Sequence, residues 1–402
     1  MRRGLSPFVL LCAIVAQAYS EISTEPRGPA PAGTVTIGMA THLAFVTQAL
    51  KGAMANTVIS PPVRVLLRDS LGNTVAGATD SVTVVLATNA SGAILLGKLT
   101  VAAVDGVATF ADLQVDRPGL AYTLAAATPS LDSATSAPFD VHVTFGSVEA
   151  GYVHSCGVTA GGAAYCWGDN SMGQLGDGAP ASPWYRSSPA PVAGGLQFTM
   201  ISAGVWHTCG VTTSGGAYCW GDNLFGQLGD GTTEERATPT PVAGGLRFLR
   251  LSAGSRHTCG ITTSGAAYCW GDDSNVGLLG DGKTTTTTRT PAPVAGSLTF
   301  TTLSAGPSET CGVTTSGAAY CWGYNAFGQL GDGTTTNRLI PTPVAGGLTF
   351  TAVGVGVEEE TGHACGVTPG GAAYCWGASN GAGALGDGTT TDRLVPTAVA
   401  FP

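Results

Sequence analysis

The chain has 402 residues, of which 44% are hydrophobic and only 11% charged, and 60 are glycine. Seventeen Lys and Arg against 26 Asp and Glu give a net charge of −9, which excludes an ordinary basic surface for nucleic acid. The length allows two or three domains, and the short alternating apolar runs favour folded β-structure over disorder.

Arg2 and Arg3 precede an apolar run from Phe8 to Ala16, and Ala16-Gln17-Ala18 has the small-x-small pattern of a cleavage site. Residues 1–18 therefore read as an export signal, too short for a comfortable membrane span. Leu11 stands before Cys12 where a lipid-anchored cysteine needs a small residue, which argues against an anchor. Cleavage after Ala18 takes the net charge to about −11. No later stretch is apolar enough for a spanning helix, so the expectation is an exported chain, outside the cell, at its surface or in a periplasm. Residues 19–39, with Pro26, Pro29 and Pro31, read as an extended linker.

Strand-like alternation follows at Leu43 to Thr47, Val63 to Arg68, Val82 to Leu86, Val107 to Leu113, Tyr122 to Ala126 and Phe139 to Val143. Turn signals separate them, among them Ser70-Leu71-Gly72-Asn73, Asp105-Gly106 and Arg117-Pro118-Gly119. Short strands at this spacing predict a β-sandwich over residues 40–144. Val65-Leu66-Leu67-Arg68-Asp69 with Gly72-Asn73, then Gly106 to Phe110 and Gly119 to Leu124, resemble the bacterial immunoglobulin-like repeats of surface and secreted proteins. The resemblance implies a spacer or adhesive module. It lacks the antibody-type intersheet disulfide, because no cysteine lies within it.

From residue 145 the chain repeats a unit of about fifty residues five times. Its Cys-Trp-Gly core recurs at Cys166, Cys219, Cys269, Cys321 and Cys375, in steps of 53, 50, 52 and 54 residues. Each unit holds a Cys-x9-Cys pair: Cys156/Cys166, Cys209/Cys219, Cys259/Cys269, Cys311/Cys321 and Cys365/Cys375. Placing the two cysteines opposite one another leaves a three-residue hairpin loop, Thr213-Ser214-Gly215 in the second unit. Gly stands third in that loop every time, where such hairpins need a left-handed residue. Opposed strand residues have Cα atoms about 4.5–5.5 Å apart, close enough for a disulfide. Ten paired cysteines in an exported chain are therefore read as five disulfides, one within each unit.

A His lies two residues before four of the first cysteines, at His154, His207, His257 and His363, with Glu309 in the fourth unit. The spacing fits no familiar zinc pattern, so no metal is expected and the His side chains are assigned to backbone groups of their own units. The Asp-Asn and Gly-Asp-Gly strings are read as turn chemistry rather than calcium loops. Each Trp of Cys-Trp-Gly is expected to pack on a neighbouring unit.

The pattern Ser-Ala-Gly-x-x-His-Thr-Cys-Gly through Asp-Asn-x-x-Gly-Gln-Leu-Gly-Asp-Gly resembles the regulator-of-chromosome-condensation repeat family over residues 145–402. The resemblance implies a β-propeller with four-stranded blades. The expected fold is thus all-β: an immunoglobulin-like β-sandwich followed by a five-repeat β-propeller, as a closed small ring or an open arc. Phe401-Pro402 falls where a sixth unit would begin, which suits ring closure.

No catalytic constellation stands out, and no cofactor is expected. The preferred reading is an interaction protein that binds a protein or surface polymer through rim loops. Binding is sought where the units differ: Trp184, Tyr185 and Arg186, Trp206, the stretch Lys283 to Arg289, and the insertion Glu358, Glu359 and Glu360. The family resemblance implies guanine-nucleotide exchange as an alternative, although no loop residues matching that activity are found. A polysaccharide-acting enzyme would need two carboxylates facing one cleft, whereas Asp177, Asp230, Asp281, Asp332 and Asp387 belong to a turn shared by all units.

Overall fold

Each Cys-x9-Cys segment folds as a hairpin in the register that opposes its cysteines. In the second repeat Cys209 pairs with Cys219 and Val211 with Ala217, and Gly215 closes the loop at φ +81°. The computed structural model describes residues 38–46, 52–89, 92–179, 184–284, 287–356, 362–378 and 380–400. The export signal, most of the linker and Glu358 to Glu360 lie outside them. All five expected disulfides are present, each with its Cα atoms 4.1 Å apart.

One strand is added on each side of the hairpin, giving five four-stranded antiparallel blades in sequential strand order. The second blade comprises Phe198–Ala203, His207–Thr212, Ala217–Gly221 and Arg236–Pro241. Its first strand brings Phe198 and Ile201 to one face across a bulge between Phe198 and Met200, and its fourth is the Thr/Pro-rich tail. Proline is tolerated there because the fourth strand is a blade edge.

The blades are held together by a core that lies between them rather than within them. The first interblade cluster joins Cys156, Cys166, Val158, Ala164 and Leu175 of blade one to Phe198, Ile201 and Trp220 of blade two. The same set recurs at the next three junctions, which carry Trp270, Trp322 and Trp376. Each indole also donates to a carbonyl of the preceding blade: Trp220 Nε1 to Gln174 O at 2.9 Å, and Trp270 Nε1 to Gln227 O at 2.9 Å. The indole fits because Gly176 has φ +68° and no Cβ. A Cβ at Gly176 would fall 2.6 Å from Trp220 Nε1.

Five blades make four such junctions, and the array is an open arc. Among the described residues no cluster joins blade five to blade one. The first strand of blade one, Ser147–Ala150, is exposed throughout. Its Val148 is 54% exposed, whereas Ile201 at the same position of blade two is 2% exposed. Of the two geometries the repeat count allows, the chain takes the open one.

Before the blades, His42–Phe45, Val63–Arg68 and Val107–Phe110 form one sheet. A second contains Ala53–Met54, Phe139–His142, Gly119–Ala127, Ser81–Thr88 and Thr100–Ala102. The two share one apolar core, including Val65, Leu67, Val84, Phe110, Tyr122 and Leu124. The six expected strands are present within a few residues of their predicted ends. The two-residue strands Ala53–Met54, Leu95–Leu96 and Gln114–Val115 were not expected, because segments so short carry no alternation to read.

The position of a Trp in the arc should set its contribution. Trp270→Ala is expected to cost about 3–5 kcal/mol, as a buried aromatic truncation does. Trp167→Ala, at the half-buried position with no preceding blade, should cost less than half of that. Denaturant unfolding of dilute protein in non-reducing buffer measures both.

Candidate interaction face

The blade register brings one set of ends together. Where each first strand finishes, the second starts, the third ends and the fourth begins, two loops emerge: Gly204 to Trp206 and Asp222 to Glu235 in blade two. The longer loop is fixed from within. Asn223 Oδ1 accepts from Leu228 N at 3.0 Å, while its Nδ2 donates to Asp230 Oδ1 at 3.2 Å and Glu234 O at 3.0 Å. Gln227 donates to Asp222 at 2.8 Å and accepts from Phe225 N at 2.9 Å. Asp230 holds Arg236 in an ion pair of 2.9 Å. With the repeat's polar residues spent on holding the backbone, the two variable positions between Asn223 and Gly226 are free to project.

Those positions carry exposed Leu224, at 68%, and Phe225, over which Arg256 of blade three lies 5.0 Å from the ring centroid. In blade four they carry exposed Phe327, with Tyr324 at 6.2 Å. Trp206 is half-buried at this end, and its carbonyl accepts from Asp222 N at 3.0 Å. Trp184 is 67% exposed beside blade one's long loop, where its carbonyl accepts from Asn170 N. Tyr185 is also exposed and pairs with Asp169 at the same end. The structure thus collects Trp184, Tyr185 and Trp206 on one end of the arc and adds Leu224, Phe225, Arg256, Tyr324 and Phe327. Leu224, Phe225, Arg256 and Phe327 occupy the x positions of the repeat pattern and Tyr324 replaces its Asp, which are the signals that could have found them.

Arg186 has a different role. It pairs with Asp177 at 2.9 Å, as Arg338 pairs with Asp332 and Arg393 with Asp387, both at 2.6 Å. It is a repeat residue that closes the loop. Lys283 likewise pairs with Asp281 at 3.0 Å. Within Lys283 to Arg289, residues 285 and 286 lie outside the described residues, as do Glu358, Glu359 and Glu360. The repeated aspartates are thereby engaged in ion pairs and Asx turns.

The histidines correct the expectation that they serve their own blades. His154 Nε2 lies 2.8 Å from Thr208 Oγ1 of blade two, His207 2.9 Å from Thr258, and His257 2.8 Å from Thr310. The Thr208 hydroxyl gives its single hydrogen to Gln174 O at 2.8 Å, so His154 Nε2 must be the donor. Each ring then leaves Nδ1 as an unpartnered acceptor in an apolar junction. Burial pushes His154 and His257 down to about 4 and His207 to about 3, so all are neutral at pH 7. The reason is geometric. The His side chain shares a strand face with Cys two residues on, and that face meets the next blade.

Blade four breaks the pattern on both sides at once. Ala364 replaces the accepting Thr in blade five, and Glu309 replaces the donating His. Glu309 is buried, with Oε2 accepting from Ser308 Oγ at 2.7 Å and Oε1 unpartnered. Burial raises its carboxyl to about 7. Among the described residues no group of three His, Cys, Asp or Glu side chains is arranged to hold a metal.

These shifts give opposite pH signs. The histidines bind protons more weakly folded than unfolded, so their contribution is lost as pH falls from about 6.5 to about 4. Glu309 binds its proton more tightly when folded, so stability falls as pH rises from 4.5 to about 7 and is flat above. Glu309→Gln removes the second effect alone. Relative to the parent, it should gain about 3 kcal/mol between pH 4.5 and pH 8. Paired denaturation curves at those pH values read the difference, and an unchanged difference would mean the carboxyl is not buried.

Two models of the regulator of chromosome condensation (RCC1) repeat match the chain, one over residues 161–211, 214–261 and 316–358, the other over 147–174, 198–227, 249–275 and 300–329. The rat probable E3 ubiquitin-protein ligase HERC4 is 38% identical over 84 residues, 20% of this chain and 8% of the ligase. The chain therefore spans less than a tenth of the length of that relative. The Arabidopsis thaliana ultraviolet-B receptor UVR8 is 32% identical over 261 residues, covering 64% of this chain and 58% of the receptor. Among solved structures, Prp20p of Saccharomyces cerevisiae superposes with a TM-score of 0.54 at 16% identity, over 81% of this chain and 87% of its own. That likeness speaks to the fold alone. Residues 147–275 and 300–358 thus match models of the regulator-of-chromosome-condensation repeat, within an all-β array of propeller-type blades.

Proposed function

We propose that the chain is an exported, non-catalytic interaction protein that binds a protein or a surface polymer through the loop end of its blades. The observation that carries this reading is the collection of Trp184, Trp206, Leu224, Phe225, Arg256 and Phe327 on one end of a rigid scaffold. Aromatic residues and Arg dominate binding hot spots, and a pre-ordered backbone reduces the entropy lost on binding. Five disulfides suit an oxidising compartment and support export through residues 1–18. Among the described residues no helix is long and apolar enough to cross a membrane. The engagement of the repeated aspartates in loop closure favours binding over catalysis.

In the same reading, residues 40–144 are an immunoglobulin-like spacer. Its support is the core shared by two sheets and the Tyr122 hydroxyl, which donates to Arg117 O at 3.1 Å. A tyrosine bonded back to the chain just upstream of its own strand is a feature of such sandwiches.

Prp20p is described through its binding to Gsp1p and histones. Carried over to this chain, that gives a second reading, binding and nucleotide exchange on a small GTPase, for which the fold is the support. Accelerated nucleotide release from a host GTPase would establish it.

For the first reading, the mature chain is used to capture partners from the surface fraction of native cells. Trp206→Ala combined with Leu224→Ala and Phe327→Ala should lower capture of a specific component by at least about tenfold. Thr213→Ala, on the hairpin at the opposite end, should leave it unchanged, and reductant should abolish it. Equal loss in both variants would remove the loop end as the binding face.

A further inference from the structure

Four of the five long loops are closed around one side-chain amide. Asn170, Asn223, Asn325 and Asn380 each accept from a Leu N through Oδ1, at 2.9–3.0 Å. Their Nδ2 groups donate to Asp177, Asp230, Asp332 and Asp387, at 3.1–3.4 Å. The rest of the shell around Nδ2 is oxygen too. In blade four it holds Thr334 Oγ1 at 3.3 Å and the Thr334 and Thr336 carbonyls, both at 3.1 Å. One NH2 group therefore sits in a cage of acceptors and is the donor that holds the cage together.

Blade three keeps the cage and loses the donor. Asp273 stands in place of the Asn, and its Oδ1 accepts from Leu279 N at 3.0 Å as the Asn does. Asp281 keeps the carboxylate position. Its Oδ1 accepts from Lys283 N at 2.9 Å, as Asp332 Oδ1 accepts from Thr334 N. With both anchors unchanged, Asp273 Oδ2 takes the place of Nδ2 and meets acceptors. It is buried without a partner, in a residue that is 0% exposed.

The neighbouring guanidinium is lost at the same loop. Gly168, Gly221, Gly323 and Gly377 pair with Arg186, Arg236, Arg338 and Arg393, whereas Gly271 pairs with Thr288. Lys283 Nζ, on an exposed side chain, reaches Asp281 Oδ2 at 3.0 Å, and nothing described answers Asp273 Oδ2. Burial first, and then the charges of Asp281 and Asp272, raise the Asp273 carboxyl to about 6. A buried carboxylate oxygen set against a second carboxylate costs stability unless positive charge lies between them.

We propose that a calcium ion takes the place of the missing amide in blade three, held by Asp273 Oδ2 and the Asp281 carboxylate. The Lys283 carbonyl, at the position of the Thr334 carbonyl in blade four, and water complete the shell. An all-oxygen donor set favours a hard cation over zinc or copper. Calcium accepts an irregular shell, whereas magnesium demands a near-ideal octahedron. Only two side chains serve as ligands, so the site makes no cluster of three acidic or His side chains. The ion fixes one loop of the scaffold, whatever partner the loop end binds.

Equilibrium dialysis of the full chain at pH 7.5, in non-reducing buffer cleared of metal, tests this. The parent should bind one calcium per chain, with a dissociation constant of about 0.1–1 mM, the range of extracellular calcium modules. Asp273→Asn restores the amide donor of the other blades and should weaken that binding by at least about tenfold. In EDTA the same variant should unfold at or above the parent's temperature, because its cage is complete without an ion. Calcium at about ten times the dissociation constant should raise the unfolding temperature of the parent and leave that of the variant unchanged. A parent that binds no calcium overturns the proposal and leaves a proton as the only charge between the carboxyls. So does binding that survives Asp273→Asn, or a variant that unfolds below the parent in EDTA.

Discussion

Everything in the blade array depends on one buried contact: an indole laid over a disulfide-closed hairpin of the blade before it. That contact supplies apolar burial, a hydrogen bond from Trp220 Nε1 to the Gln174 carbonyl, and a steric demand that only glycine meets at Gly176. A single blade offers two open apolar faces and too little interior to fold alone, as in other repeat architectures. Stability therefore belongs to junctions, and a blade's share depends on how many of its faces are covered. The disulfides brace the hairpins on which each indole rests.

The same economy separates scaffold from surface. Asn223, Gln227, Asp230 and Arg236 are consumed in holding one loop. Their counterparts Asn325, Asp332 and Arg338 do the same in blade four. What the repeat leaves unspecified is then displayed at fixed spacing, which is how Leu224, Phe225 and Phe327 come to share one end. Arg256 over Phe225 ties adjacent loops across a blade boundary and joins them into one surface.

The hairpin register was legible in the sequence because two independent constraints, cysteine spacing and the loop glycine, select the same pairing. The role of the histidines is not legible in one repeat taken by itself, because His and Thr in His-Thr-Cys serve the blades on either side. The clue was present: Glu309 and Ala364 depart from the repeat together, as partners across a junction do. The open arc was not legible, because closure depends on the sum of small rotations between blades, which no local pattern encodes. Exposed Val148 and half-buried Trp167 report it only once the fold is known. The short strands around Ala53 and Leu95 are held by tertiary pairing and leave no periodicity of their own.

Each disulfide joins cysteines ten residues apart, inside one hairpin. Every unit thus carries both halves of its own staple. A duplication or deletion of whole units adds or removes cysteines in pairs and strands no thiol, and the new junction is built from the same indole and the same hairpin. The array can lengthen or shorten over evolutionary time without renegotiating its oxidative chemistry. Correct pairing is also available to each hairpin by itself under oxidising conditions, without the rest of the chain.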